Sequence, residues 1–167
     1  YDQGFFSGDG TEKKDGQQYI YLYGNKKQLE LELAGALSRG EYAITGGYEG
    51  TDLTQTKVYL NYGKRMFLPK SFVPSAEWDI ESRLRWLEGV CDSDGCAYRS
   101  YNSVLVQISA KNRDFLRDIM LMLNTLGIGS NLSEMKDYWR LGISASNVAR
   151  LQDLGFAPKR LDISGNN

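Results

Sequence analysis

The chain of 167 residues has no histidine, only two cysteines and three prolines, and no long apolar run. Each absence narrows the possible chemistry. Without histidine, neither Ser-His-Asp nor Cys-His catalysis can be built within the chain. Cys91 and Cys96 are too few for a disulfide framework and wrongly spaced for zinc. No segment approaches the roughly 18 apolar residues of a membrane span, and the N-terminus does not read as a signal peptide, so no membrane partner is expected. An excess of either charge is missing too: 20 basic residues face 21 acidic ones, for a net charge of −1. Bulk charge therefore selects neither nucleic acid nor an anionic membrane, and any anion-binding surface must come from local segregation of Lys and Arg. What remains for catalysis is carboxylates, lysines and a hard cation such as magnesium. The length suits one domain or two small fused ones with a real core.

What the chain does have is an internal repeat. "YDQGFFSGDGT" (1–11) aligns with "WLEGVCDSDGC" (86–96), placing Gly4 on Gly89, Asp9 on Asp94 and Gly10 on Gly95 at an offset of 85. After each motif and a short polar stretch comes an alternating strand, "YIYLYGN" (19–25) or "VLVQISA" (104–110). Each strand runs into a helical pattern, 26–37 or 111–127, where an offset of 86 matches Leu29 to Phe115 and Leu33 to Ile119. Further alternating segments stand at 58–63 and 138–144, and a helical pattern at 147–155 closes the second copy. The periodicity thus predicts two copies of a helix–strand–helix–strand unit. The glycine-rich "TGGYEGT" (45–51) has no phosphate-loop spacing and reads as a hairpin turn.

The second motif lies on a helical period, with Trp78, Ile80, Leu84, Leu87, Val90 and Cys91 on the apolar side. A glycine inside such a helix costs about 1 kcal/mol relative to alanine. Gly89 is therefore expected where another backbone comes close, with Gly4 and Gly8 offering the matching surface in the first copy. Two helices packed there would set Asp9 and Asp94 side by side at their negative ends. That arrangement is unfavourable unless a divalent cation joins the carboxylates.

"LEGVCDSDG" (87–95) resembles the motif of the LAGLIDADG homing endonucleases at Leu87, Gly89, Asp92, Asp94 and Gly95, and "DQGFFSGDG" (2–10) is a looser copy. "KSFVPSAEWDIESRLRWLEGVCDSDG" (70–95) is similar to the lysine–proline linker and second motif helix of intein-borne members, and "LGFAPKRL" (154–161) to their closing block. The resemblance covers nearly the whole chain in the two-motif, single-chain form. It implies an α+β fold of two pseudo-symmetric halves, 1–75 with the linker and 76–167, forming one compact unit. The motif helices would meet at the centre, and two saddle-shaped antiparallel sheets would straddle double-stranded DNA.

The resemblance also implies roles. Asp9 and Asp94 match the metal-binding acids, holding Mg2+ (or Mn2+) so that water attacks one phosphate per strand and leaves 3′ overhangs. Lys70 falls where intein members place an active-site lysine, and Lys159 is its expected counterpart. Asp92 is expected to cap or brace, since the first copy has Ser7 there. Strand parity turns Ile20, Leu22, Val106 and Ile108 inward. It leaves Tyr19, Tyr21, Tyr23, Gln107 and Ser109 outward, with Lys57, Tyr59, Asn61 and Arg140 on later strands; these are suitable groups for base edges and phosphates. Only three residues precede Gly4, which points to missing upstream residues or to excision from a larger intein. A monomer acting on genomic DNA inside the cell is expected, in the cytoplasm for a prokaryotic or phage source. The rival reading is a module that binds DNA or RNA without cutting, as a maturase or regulator; retention of both motif acids favours the nuclease.

Overall fold

A computed structural model describes residues 1–16, 18–29, 33, 42–45, 55–60 and 67–165. Among them helix α1 (Asp2–Asp9) leads into β1 (Gly10–Glu12), β2 (Gln18–Tyr23), a 3-10 turn (Gly24–Leu29), β3 (Tyr42–Thr45) and β4 (Gln55–Leu60). The second half repeats the order with α2 (Ile80–Asp94), β5 (Gly95–Ser100), β6 (Ser103–Ala110), α3 (Arg113–Thr125), β7 (Asn131–Glu134), β8 (Trp139–Ile143) and α4 (Ala145–Asp153). Each half carries a four-stranded antiparallel sheet, ordered β1-β2-β4-β3 and β5-β6-β8-β7. The fold is α+β, with the two motif helices packed on each other between the halves.

Helix starts follow local chemistry. The Asp79 side chain accepts from the Ser82 backbone N–H at 2.7 Å, capping α2, and Asn112 accepts from Phe115 N–H at 3.2 Å, capping α3. Helix α3 buries Phe115, Leu116, Ile119, Met122 and Leu123 along one stripe, against the inward face of β6 and β8 (Val104, Val106, Ile108, Leu141, Ile143). In the first half Phe5, Phe6, Ile20, Leu22, Leu29, Leu33 and Phe67 form the corresponding core.

Three expectations need correction. Periodicity finds only β2, β4, β6 and β8, because the partner strands β1, β3, β5 and β7 occupy sheet edges and are short or polar. Trp78 precedes α2 rather than lying on it, and Ile80 is exposed, so the apolar side of α2 begins at Leu84. The strand offset differs as well. Gly10 faces Ile20 but Gly95 faces Ile108, so the offset grows from 85 at the motif to 88 along the strand. The β1–β2 ladder is three residue pairs long with a five-residue connection, and β5–β6 is six pairs long with a two-residue one. Because 86 and 88 are both even, Ile20, Leu22, Val106 and Ile108 keep the inward face, and all four are buried. The register makes Gln18 the counterpart of Val106. Of the helix expected at 26–37, the structure describes the 3-10 turn and buried Leu33; of the turn expected at 45–51 it describes Thr45 alone, the end of β3.

Candidate active site

The site begins with how closely α1 and α2 approach. A Cβ on Gly4 would stand 1.8 Å from the Trp86 carbonyl oxygen, and one on Gly89 would stand 2.0 Å from that of Tyr1. A Cβ on Gly8 would meet Ser93 Oγ at 1.8 Å and Asp94 Oδ2 at 3.1 Å. The helices therefore touch backbone to backbone, which only residues without a side chain permit. Cys91, on α2, is a buried small hydrophobe in the core of the second half.

This crossing brings the last residues of both helices together. Burial and then the charge of Asp9, with a hydrogen bond between the two carboxyls, push Asp94 up to about 7; Lys26 and Lys70 act in the opposite direction. The two acids are not equivalent. Asp9 is ion-paired with Lys26, and both side chains are largely buried. Asp94 instead opens onto a cavity of about 460 Å³ lined by Ser7, Gly8, Lys70, Ser71, Ala110, Lys111, Asn112 and Phe115. Lys70 and Lys111 thus share a cleft with Asp94. The Lys159 ammonium stands 3.8 Å from the centroid of the Tyr1 ring.

Sequence reading missed Lys26 and Lys111. The available signal was their shared position, each on the turn from the second strand of its half into the following helical segment. It also missed Glu88, a fully buried acid on α2. Glu88 accepts from the Ala157 N–H at 2.8 Å and pairs with Arg85, while Asp92 accepts from Lys159 N–H and Arg160 N–H, each at 2.8 Å, and from Leu161 N–H at 3.2 Å. Asp92 also accepts from the Tyr1 hydroxyl at 2.8 Å. Its role is to fasten the closing segment onto α2. The Arg160 guanidinium adds bonds to the carbonyls of Cys91, Asp92 and Gly95 at the negative end of that helix.

The sheet residues distribute unevenly. On the second sheet the outward rows are Cys96–Gln107–Gly142–Asn131 and Ser109–Arg140–Ser133, read from the pairing register. Arg140 donates to the Tyr138 hydroxyl at 2.9 Å. On the first sheet Tyr19 pairs with Tyr59, Tyr21 with Lys57, and Tyr23 with Gln55. Tyr19 is half-buried, and the Lys13 ammonium lies 5.5 Å from its ring centroid. Asn61 lies outside the described residues.

As a cation site the donor set is small and hard: two carboxylates, with no group of three or more His, Cys, Asp or Glu side chains among the described residues. That set fits a divalent cation whose other ligands are main-chain carbonyls, water and phosphate oxygens, the usual pattern for magnesium.

Residues 81–154 match the LAGLIDADG-like domain family. The chain is 32% identical, over 181 aligned positions and 96% of its length, to the ribonucleoside-diphosphate reductase large subunit of Invertebrate iridescent virus 6, and spans 18% of that protein. Its fold is similar to full-length DUF199/WhiA from Thermatoga maritima, at TM-score 0.66 and 16% identity over 93% of this chain and 55% of that one. It is also similar to I-DmoI in complex with DNA and Mn, at TM-score 0.57 and 14% identity over 93% of both chains.

Proposed function

We propose that this chain, which carries the LAGLIDADG fold, is a site-specific endonuclease that cuts both strands of a DNA duplex with a divalent metal, leaving 3′ overhangs. The observation that carries this reading is the meeting of Asp9 and Asp94 at the ends of two glycine-crossed helices, where Asp94 is pushed up to about 7. An acid pair held so close that it shares a proton, and repels once both carboxyls ionise, suits a cation that takes the proton's place. Magnesium or manganese bound there would supply charge to polarise the scissile phosphate and lower the pKa of water. The chain's own contribution is positional. Asp9 and Asp94 would hold the cation, and Lys70 and Lys111, in the cleft beside Asp94, would offset negative charge that develops on the phosphate during attack. Lys159 is proposed as the lysine of the other half, starting from its place over Tyr1.

DNA would lie across both sheets, with Gln107, Ser109 and Arg140 on one side and Tyr19, Tyr21, Tyr23, Lys57, Tyr59 and Asn61 on the other. The neighbour I-DmoI, described in complex with DNA and Mn, supports this arrangement. A monomer suffices, because one chain supplies both acids. An intein origin is supported by the reductase relative: the chain matches less than a fifth of a protein named for another activity, as a module inserted in a host polypeptide would. We place its action on genomic DNA inside the cell.

A second reading is a module that binds DNA or RNA without cutting. It is favoured by the Lys26–Asp9 ion pair, which already neutralises one of the two acids. The deciding experiment is digestion of a randomised duplex library in Mg2+ or Mn2+, with Asp94→Asn as control. Discrete double-strand cuts that vanish in the variant support the nuclease. Retention of DNA without cutting by the intact protein selects the binding module.

A further inference from the structure

The segments carrying Lys70 and Lys159 are copies of one element, "FLPK" (67–70) and "FAPK" (156–159), and each is fastened to the motif helix of its own half. On α2 the anchors are Glu88 and Asp92, one helical turn apart, holding the N–H groups of Ala157, Lys159, Arg160 and Leu161. On α1 the matching positions are Gln3 and Ser7. The Gln3 amide makes both bonds of a peptide pair with Leu68, accepting from its N–H at 2.8 Å and donating to its carbonyl at 3.2 Å. Ser7 Oγ donates to the Phe72 carbonyl at 3.4 Å. A second glutamine repeats the device one residue earlier. Gln18 accepts from Phe67 N–H at 3.1 Å and donates to the Phe67 carbonyl at 3.2 Å.

Gln18 is the informative residue. It is 1% exposed on an inward strand position whose counterpart in the other half is the apolar Val106. A buried amide there is favourable only because both of its hydrogen-bonding ends are met. Phe67 also stacks on Phe6, with ring centroids 4.8 Å apart. The linker is thus tied to the first half at two successive residues just before Lys70, while Lys70 itself lines the cleft of Asp94, on the helix of the second half.

We infer that Gln3 and Gln18 are positioning residues, an amide clasp that holds the linker so that a lysine fastened to the first half completes the active site of the second. The consequence for cutting rests on the nuclease reading; the clasp itself does not. The test uses the whole chain with Gln3→Met, Gln18→Leu and Lys70→Met, and takes two readouts. Limited trypsin digestion reports release of the Lys70–Ser71 bond, and strand-labelled duplex reports each nick separately. The inference expects the Gln3→Met bond to be cut several-fold faster than in the parent. It also expects Gln3→Met to slow kcat about tenfold on the strand that Lys70→Met slows, with DNA affinity within about twofold. Gln3 is only half-buried, so Gln3→Met keeps the test sound if Gln18→Leu fails to fold. An unchanged trypsin rate overturns the clasp. A loosened linker with both strands slowed alike, or with weakened DNA binding, overturns the positioning role. If the parent cuts no duplex at all, the nuclease reading fails, and the trypsin rates alone decide the clasp.

Discussion

The two halves share a sheet order and a helix crossing but differ in almost everything placed upon them. In the first half the motif acid Asp9 is ion-paired with Lys26, and the linker is held by neutral amides. In the second, Asp94 faces a cleft, and the closing segment is held by the buried carboxylates of Glu88 and Asp92. The strands differ likewise. Tyr19, Tyr21 and Tyr23 alternate along the sequence of β2, whereas the second sheet's outward rows set Gln107, Ser109, Asn131 and Ser133 around Arg140. Two-fold symmetry therefore extends to the framework and stops at the chemistry. A single chain can vary its two sites separately, as a symmetric dimer cannot.

That asymmetry can be broken or sharpened by experiment. The largest effect is expected from the acids. On the proposed nuclease reading, Asp9→Asn and Asp94→Asn should each lower cleavage of a cognate duplex about a thousandfold, since each would remove half of the proposed cation site. Their stabilities should move in opposite directions. Asp94→Asn relieves a buried, repelled carboxylate and should raise the metal-free melting temperature at pH 8, whereas Asp9→Asn strips Lys26 of its partner and should lower it. Equal shifts in calorimetry would mean that the sites are equivalent after all.

Next come the crossing glycines. Gly4→Ala drives a Cβ into the Trp86 backbone and should cost about 3 kcal/mol in urea unfolding. Gly8→Ala would meet Ser93 Oγ at 1.8 Å and Ser93 Cβ at 2.7 Å, so it should also cost stability, and it should in addition slow cutting by pushing on Asp94. Smaller again, Lys70→Met should slow cleavage about tenfold and Lys159→Met less, because Lys70 lines the Asp94 cleft while Lys159 rests on Tyr1.

The smallest effect is a pH slope. Asp94 is raised in the folded state from 3.8 to about 7, by burial and Asp9 against Lys26 and Lys70. The folded protein thus holds this proton more tightly than the unfolded chain does. The associated stability is fully present below about pH 4 and lost as pH rises through 7. The metal-free protein should accordingly melt a few degrees lower at pH 8 than at pH 5 on this account. Magnesium should recover more of that loss at pH 8, and Asp94→Asn should flatten the slope.

Much of this was legible in the residues. Glycine inside an amphipathic helix is unfavourable enough to announce a close approach, and Gly4, Gly8 and Gly89 all stand at one. The central strands were found because they alternate, and the edge strands were missed because "GTE" and "NLSE" carry no period. Nothing in the sequence marks Glu88, since its burial depends on an N–H group nearly seventy residues away. Lys26 was invisible for a similar reason: its partner Asp9 becomes a neighbour only when β1 and β2 fold back as a hairpin. The repeated Phe-x-Pro-Lys element was present in the sequence throughout, and its two docking surfaces give it meaning.

The route of the linker bears on how such a protein can be recombined. Residues 67–72 are fastened to α1 and β2, yet Lys70 opens beside Asp94. A hybrid joined just after Pro74 would bring its own lysine along with the first half, while one joined before Phe67 would take the lysine from the second-half parent but meet a foreign Gln3 and Gln18. The seam that looks natural along the backbone is therefore not a seam in the chemistry. Shuffled pairs of halves should work best when Gln3, Gln18 and the 67–72 segment are inherited together.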